Sequence, residues 1–171
     1  MFDVGDTVLY GNQGVCRITA RDEKKIAGTV ITYYVLKPVC DENSTVYVPS
    51  SNTELLSKMR AVLSEKEIYE LIEELPDKET IWIDDENERK QKYQAIIDEG
   101  DRKKLVQLIK TLRITKEEKQ KSKKKFHQSD EMILKQAEKL LYSEFALVLN
   151  IAPDEVLPFM MQQLHISQKG A

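Results

Sequence analysis

The side chains of this sequence that can do chemistry are mainly basic, and they are unevenly placed. Residues 89–127 carry 14 Lys and Arg and 5 Asp and Glu, a net charge of +9, whereas residues 65–88 carry 2 basic and 11 acidic side chains, a net charge of −9. Because each cation that meets a phosphate releases a counterion, the basic block predicts salt-dependent binding to a polyanion. The alternative is a solvated helix face, which is commoner for lysine-rich helices. The candidate contact residues are Arg89, Lys90, Lys92, Lys123, Lys124 and Lys125.

The single tryptophan, Trp82, lies between Ile81 and Ile83, where the acidic block meets the basic one. An aromatic ring beside cationic side chains can stack on a base or wedge between base pairs. A tryptophan with two isoleucine neighbours can equally pack a connecting segment onto a helical core. The residues themselves favour neither interpretation.

Aromatic and basic residues near the amino terminus form a second candidate surface. Lys24 and Lys25 precede a strand-like segment, and Tyr33, Tyr34 and Tyr47 lie on the segments that follow. An unpaired strand edge can accept a strand of another protein through main-chain hydrogen bonds. The alternative is that the tyrosines cover a small core while the lysines keep the edge soluble.

Catalytic and metal chemistry have little support in the sequence. His127 lies in a lysine-rich segment and His165 near the tail, and no nucleophile motif or phosphate-binding loop is present. The acidic run 84–88 lacks the ligand spacing and the glycine of a calcium loop. Cys16 and Cys40 are far apart and have no nearby histidine, so neither a zinc site nor a disulfide is indicated. We therefore expect no enzyme activity, no metal, no cofactor and two reduced thiols.

The elements that position these residues change in type along the chain. Up to about residue 50, short β-branched and aromatic runs alternate with glycine, asparagine and proline, which is typical of strands and turns. This pattern predicts a small antiparallel barrel or curled sheet. The predicted strands cover residues 7–10, 15–18, 29–36 and 44–48.

After Pro49 the apolar residues recur at the helical period. Ser64 and Glu67 form a capping box for a first helix. A second helix is predicted to begin near residue 87 and to end at Gly100, and Asp101 can cap a third.

Three further helices are predicted towards the carboxyl end. A second capping box at Thr115 indicates a separate lysine-rich fourth helix, and Ser129 or Asp130 begins a fifth. A short last helix follows, but its interior Pro158 argues against a regular helix there, because proline removes a donor and clashes with the preceding turn.

Together these elements predict an α+β protein in four parts. They are a β-rich domain (1–52), a connecting segment with the first helix (53–75), an acidic linker (76–88) and a basic-faced helical domain (89–171). No run approaches the roughly 18 apolar residues of a membrane span, and no signal peptide is evident, so we expect a cytoplasmic protein. The acidic linker can act as a hinge for domain exchange between protomers, which leaves the oligomeric state open.

Several residues and motifs have a recognisable order and spacing: Val4–Tyr10, Gly14–Val15, Gly28, Tyr34–Lys37, Val46–Pro49, Tyr93, Gly100–Asp101 and Ala137–Leu141. Together they resemble the CarD family of bacterial transcription regulators, and the resemblance covers most of the chain. The first part also resembles the polymerase-interaction module of transcription-repair coupling factors.

The resemblance implies a Tudor-like domain that pairs a strand with the β subunit of RNA polymerase. It also implies a helical domain that contacts promoter DNA at the upstream edge of the melted bubble, where a tryptophan wedges into the minor groove. Trp82 is the only residue able to be this wedge, yet an ungapped comparison puts Arg89 at that position. Lys24 and Tyr47 stand where the family often carries two arginines. The implied polymerase contacts are Lys24, Lys25 and Tyr47, and the implied DNA contacts are Trp82, Arg89, Lys90, Lys92, Lys123, Lys124 and Lys125.

The resulting prediction is a non-enzymatic regulator that binds the polymerase β subunit and stabilises the open promoter complex. Its DNA contacts involve the backbone and the minor groove, with little sequence specificity. The alternative is a protein-only adaptor that binds polymerase or another factor through a strand edge, without DNA contact.

Overall fold

The computed structural model describes residues 2–77 and 79–169, with side-chain surroundings given up to residue 164. The chain divides into two compact units between Val62 and Leu63. The predicted end of the helical domain, residue 171, and the side chain of His165 lie outside this description.

The first unit is a five-stranded sheet in the order β4-β3-β2-β1-β5, in which all neighbouring strands are antiparallel. Its core contains Val8, Ile18 and Leu36, which are fully buried. The strands are β1 (Thr7–Tyr10), β2 (Val15–Ile26), β3 (Thr29–Pro38), β4 (Val46–Pro49) and β5 (Met59–Ala61), with a short helix α1 (Thr53–Ser57) before β5.

The long β2–β3 hairpin extends beyond this core, since residues 21–30 are all exposed. Ala27 and Gly28 both have positive φ angles and join strands that pair directly from Ile26 to Thr29. Two consecutive residues of this kind suit the right-handed twist of a tight hairpin, and glycine reaches such angles without strain. The hairpin therefore projects as a two-stranded ribbon.

The sequence pattern finds most of this unit but not all of it. β1 is as predicted, while β2 extends eight residues past the predicted end at residue 18. Neither α1 nor β5 is predicted, because a strand of three residues is too short to show an alternating pattern. β5 exists through its pairing with β1, a contact about 50 residues away in sequence.

The second unit is helical, and its predicted caps are present. Ser64 and Glu67 make both hydrogen bonds of the capping box, Gly100 ends a helix with φ of 72°, and the Asp101 side chain accepts from the Lys104 N–H. The helices are α2 (Glu65–Glu74), α3 (Glu86–Glu99), α4 (Arg102–Lys121), α5 (Gln128–Leu149) and α6 (Val156–Lys169).

Three helix predictions are wrong in detail. The separate helix at Thr115 does not exist: α4 is continuous, and the Thr115 hydroxyl donates to the carbonyl of Thr111 within the helix. α5 begins at Gln128, so Asp130 lies in its first turn. Pro158 is the third residue of α6, where its missing N–H would have no helical partner in any case.

A single apolar core joins the helices of the second unit, and the segment before α3 is part of it. Ile81, Trp82 and Ile83 pack against this core, so residues 79–85 lie on the helical unit. The α+β class is confirmed, with an antiparallel sheet first and helices after it. Among the described residues, no helix has both the length and the apolar character needed to cross a membrane.

Candidate functional site

Trp82 lies in a non-helical segment whose backbone is anchored by two helices. The Ile81 N–H donates to the Thr111 hydroxyl of α4 (3.0 Å), and the Tyr93 hydroxyl of α3 donates to the Ile81 carbonyl (2.8 Å). The indole Nε1–H of Trp82 donates to the Asp84 carboxylate (3.2 Å). The backbone groups of Ile81 are thereby satisfied without a helix or a sheet, and the ring is held half-buried at the surface.

A groove of about 380 Å³ runs beside this ring, and we call it the tryptophan groove. Hydroxyl groups, one aromatic ring, two lysine side chains and one carboxylate, that of Glu118, line it. Lys119 Nζ lies 5.7 Å from the centre of the Trp82 ring. The lining residues are Thr80, Trp82, Thr111, Ile114, Thr115, Glu118, Lys119, Ser122 and Lys124.

Such a lining can hold a flat ring with an attached anion. The indole offers a stacking surface, the hydroxyls offer hydrogen bonds, and the two ammonium groups offer charge. These are the chemical requirements of a nucleotide unit in a nucleic-acid strand.

Arg89 does not lie on the surface, although it is one of the candidate DNA contacts. Its side chain is 2% exposed and makes two parallel hydrogen bonds of 2.9 Å to the Asp130 carboxylate of α5. The guanidinium also donates to the carbonyls of Ile83 (2.9 Å) and Asp84 (3.3 Å). Hydrogen bonding to Asp130 raises the pKa of Arg89, against the lowering effect of burial. The guanidinium therefore binds groups inside the protein and is not presented to a phosphate at the surface.

The guanidinium of Arg89 also lies over Trp82, with its carbon 4.3 Å from the centre of the indole ring. A planar cation at this distance is attracted to the electron-rich face of an aromatic ring. Arg89 therefore joins three elements: α3, from which it comes, α5 through Asp130, and the segment that carries Trp82.

The other candidate contacts are exposed. Lys90 has no ion pair among the described residues, whereas Lys92 pairs with Glu88 one turn earlier in α3 (2.8 Å). The loop between α4 and α5 lies close to the start of α3, where His127 Nδ1 is 3.9 Å from the Glu86 carboxylate. This loop holds the exposed residues Lys123, Lys124 and Lys125, which we call the basic loop, and its Lys124 reaches the tryptophan groove.

Much of the positive charge counted in the sequence is neutralised by nearby carboxylates. Within the described part of the chain, five of the fourteen basic residues on α3, α4 and the basic loop have no such partner, and Lys110 donates to the carbonyls of Leu75 and Pro76. The unpaired cations are Lys90, Lys119, Lys123, Lys124 and Lys125. The eight paired cations are Arg89, Lys92, Arg102, Lys103, Lys104, Arg113, Lys116 and Lys121. Four of the five unpaired lysines lie at the groove or on the adjoining basic loop.

Sequence reasoning missed Asp130 as a contributor to this site, and it counted Lys119 among the basic residues of the helices without placing it beside Trp82. Thr111, Thr115 and Lys119 recur every four residues and line one face of α4. This stripe is visible only when residues 102–121 are treated as one helix, and the incorrect break at Thr115 conceals it. No local signal distinguishes Asp130 as an ion-pair partner, because its partner Arg89 is 41 residues away.

In the first unit, the candidate polymerase contacts Lys24 and Tyr47 are brought together on one face. Lys24 Nζ lies 4.5 Å from the ring centre of Tyr47 and 5.9 Å from that of Tyr33. The two rings meet edge to face at 6.4 Å. Lys25 is the next residue of β2 and points to the opposite face of the ribbon, so the structure does not place it in this cluster.

An open strand edge lies beside this aromatic cluster. β4 pairs only with residues Tyr33–Leu36 of β3, so Thr29–Ile31 have no strand neighbour on that side among the described residues. Val30 on this stretch is 59% exposed and Tyr47 on β4 is 48% exposed. Unpaired main-chain groups beside exposed apolar side chains are the features that strand addition requires. We call this surface the open edge.

The described residues contain no group of three potential metal ligands. Cys16 is buried in the sheet core, and its thiol donates to the Gly14 carbonyl at 3.6 Å. Burial raises the pKa of the Cys16 thiol to about 11, which keeps the group protonated and unreactive at neutral pH.

The two units define a class of protein in which a small sheet with an open edge precedes a helical unit with a basic, tryptophan-bearing groove. Residues 2–61 match the family model described as the CarD-like/TRCF RID domain, and residues 67–160 match the model of the CarD C-terminal domain. Comparison with curated proteins gives no significant match. The chain belongs to the CarD family. It is therefore a transcription-associated regulator that interacts with RNA polymerase, from a family of non-enzymatic transcription factors.

Proposed function

We propose that this protein binds the β subunit of RNA polymerase through its open edge and contacts promoter DNA through the tryptophan groove, and so stabilises the open promoter complex. The observation that carries the DNA part is the position of Trp82. Its ring is anchored, half-exposed and close to lysines that have no carboxylate partner. The candidate wedge, Trp82, and candidate phosphate contacts, Lys119 and Lys124, therefore line the same groove.

The polymerase contact is proposed on the open edge because main-chain pairing does not depend on a particular side chain. The Lys24–Tyr47 cluster lies on the face beside that edge and offers one cation and two aromatic rings. A lysine cannot reproduce the bidentate bonds of arginine, so the main chain carries more of this contact than in relatives with two arginines.

The DNA contact is proposed to use phosphates for position and Trp82 for the wedge. Lys90, Lys92 and the basic loop lie near one end of α3, and Lys119 adds a cation at the ring itself. A wedge lowers the cost of holding apart an easily unstacked base step, and none of these contacts reads the identity of a base. Arg89 takes no direct part, because its donors are used inside the protein.

The competing function is a protein-only adaptor, and the extensive pairing of basic residues with carboxylates favours it. If the lysines only keep the helices soluble, the open edge is the single binding surface. This function has the same polymerase partner but no affinity for DNA.

Binding of the full chain to a promoter fragment with a melted segment separates the two functions. Fluorescence anisotropy on a labelled fragment should show an affinity that falls as salt rises, with a logarithmic slope of about −0.9 for each phosphate contacted. A fully paired duplex of the same sequence serves as control and should bind more weakly, because it must be unstacked first. Absence of salt-dependent binding to both fragments would leave the adaptor as the function.

A further inference from the structure

The buried pair of Arg89 and Asp130 occupies an unusual place for an ion pair. Both side chains are 2% exposed, and the guanidinium of the pair lies against the half-exposed indole of Trp82. Taking two charges out of water is costly, and apolar residues of similar volume often give equal or greater stability. Stability alone therefore gives a weak reason for an arginine here.

The hydrogen bonds of Arg89 fix the backbone as well as the partner carboxylate. Two go to Asp130, and the others go to the carbonyls of Ile83 and Asp84, the two residues that follow Trp82. Ile81, on the other side of Trp82, is held by Thr111 and Tyr93. The tryptophan thus sits between two anchored points of a segment that has no regular secondary structure of its own.

Two contacts favour the observed orientation of the ring: the hydrogen bond from the indole N–H to Asp84 and the guanidinium of Arg89. The indole can rotate about its side-chain bonds at a half-exposed position, and the cation at 4.3 Å favours one orientation of the ring over the others. Asp130 prevents the guanidinium from turning out to solvent, since its two oxygens accept from two different nitrogens.

We propose that Arg89 and Asp130 are positioning residues, which hold Trp82 in the orientation needed to wedge into the melted DNA. This inference rests on the proposed function, because it assigns the pair to that same site. The pair acts through Trp82 and touches no DNA. It also explains why a cation next to the basic surface is buried rather than offered to phosphates.

Trp82 is the only tryptophan, so its fluorescence reports on this site without a label. The test variant is the double substitution Arg89→Met/Asp130→Leu, which removes the pair without leaving a lone buried charge. A second variant, Arg89→Lys, keeps the cation but loses the forked geometry, and it serves if the double variant does not fold. The control is Arg102→Met/Glu144→Leu, which removes a second bidentate Arg–carboxylate pair of the same unit, in which Glu144 is buried and Arg102 is partly buried.

Two readouts are compared in the full-length protein: quenching of Trp82 by acrylamide without DNA, and the lifetime of open complexes with polymerase and a promoter. The double variant should raise the quenching constant by about two- to five-fold, the factor that corresponds to the loss of a cation–π contact. Arg89→Lys should raise it by a smaller factor, because a cation remains but is no longer held by the forked bonds to Asp130. Both should also shorten the lifetime, while the control leaves quenching unchanged. Unaltered quenching in both Arg89 variants would overturn the inference. Increased quenching with an unaltered lifetime would uphold the positioning role and contradict the proposed action on the open complex.

Discussion

Lys24 and Lys25 show how much position decides the role of a single residue. They are neighbours of the same type on β2, yet only Lys24 lies over the rings of Tyr33 and Tyr47. Because side chains alternate between the faces of a strand, Lys25 is on the other face. A contact with polymerase on the face of the aromatic cluster should therefore need one of the two lysines and not the other.

We expect Lys24→Glu to weaken binding to the isolated amino-terminal part of the polymerase β subunit by about five-fold or more, because it removes the cation that lies over the Tyr33 and Tyr47 rings on the proposed contact face and puts a carboxylate, which aromatic faces repel, in its place. The measurement is a pull-down or surface plasmon resonance titration. Lys25→Glu makes the same charge change on the opposite face and is the matched control. Equal losses in the two variants would show that the face of the aromatic cluster is not the one in contact.

Buried tyrosines give the helical unit a defined sensitivity to alkaline pH. Burial raises the pKa of both Tyr93 and Tyr142 to about 12, above the ordinary value of 10.0. Between these values the unfolded chain loses phenolic protons that the folded chain retains, so the free energy of unfolding is at its full value below pH 10 and falls as the pH approaches 12. Urea unfolding at several pH values from 9 to 12 measures this fall. A free energy that stays constant over that range would contradict it.

At the scale of elements, the continuous helix α4 determines the shape of the candidate site. Thr111, Thr115 and Lys119 lie along one face of this 20-residue helix and line the tryptophan groove. The basic loop begins two residues after the helix ends at Lys121. Lys123 has a φ of 54°, so the chain turns sharply there before it enters α5. A break in α4 would separate the anchor of Ile81 from the lysines.

Replacing Lys123, Lys124 and Lys125 together by Gln should reduce affinity for the melted promoter fragment equally for different base sequences. The logarithmic salt slope should become less steep by about 0.9 for each lysine that meets a phosphate. The control is a triple substitution of the exposed lysines Lys66, Lys135 and Lys139, which lie outside the groove and the basic loop. If the control changed the salt slope as much as the test variant, the basic loop would not be the preferred contact.

Elements with strong local signals could be predicted from the sequence. Ser64 with Glu67 and Gly100 with Asp101 gave correct helix ends, because caps depend on a few adjacent residues. β5 could not be predicted, since three residues form a strand only by pairing with β1. The helix start predicted at Thr115 was wrong, because the Thr115 hydroxyl donates to a carbonyl within α4. The residue pattern of a capping box can also occur inside a continuous helix, so the pattern alone does not show that a helix begins there.

The candidate site was less predictable than the fold. Trp82 was identifiable as an isolated aromatic residue between charge blocks, but Arg89 was indistinguishable from its exposed neighbours Lys90 and Lys92. Its burial depends on Asp130, a partner on another helix. Counting charges also overstated the basic surface, because pairs such as Lys116 with Glu131 form between helices and are not apparent along the chain.

At the scale of the whole molecule, the two units have separate cores and carry different candidate surfaces. The open edge belongs to the sheet unit, and the tryptophan groove belongs to the helical unit. A chain that holds polymerase with one unit and DNA with the other gains affinity from the connection between them, because the second contact becomes intramolecular. Under the proposed function, weak and non-specific DNA binding would then suffice at a promoter that polymerase has already opened.

The most direct test of this account is the lifetime of open complexes after a heparin challenge, measured with the wild-type chain and with Trp82→Ala. We expect the variant to shorten the lifetime by about five-fold or more, in line with the loss of one stacking contact, and to bind polymerase as the wild type does. Trp82→Phe retains an aromatic ring and should preserve part of the effect. A Trp82→Ala chain that binds polymerase normally and leaves the lifetime unchanged would contradict the central claim.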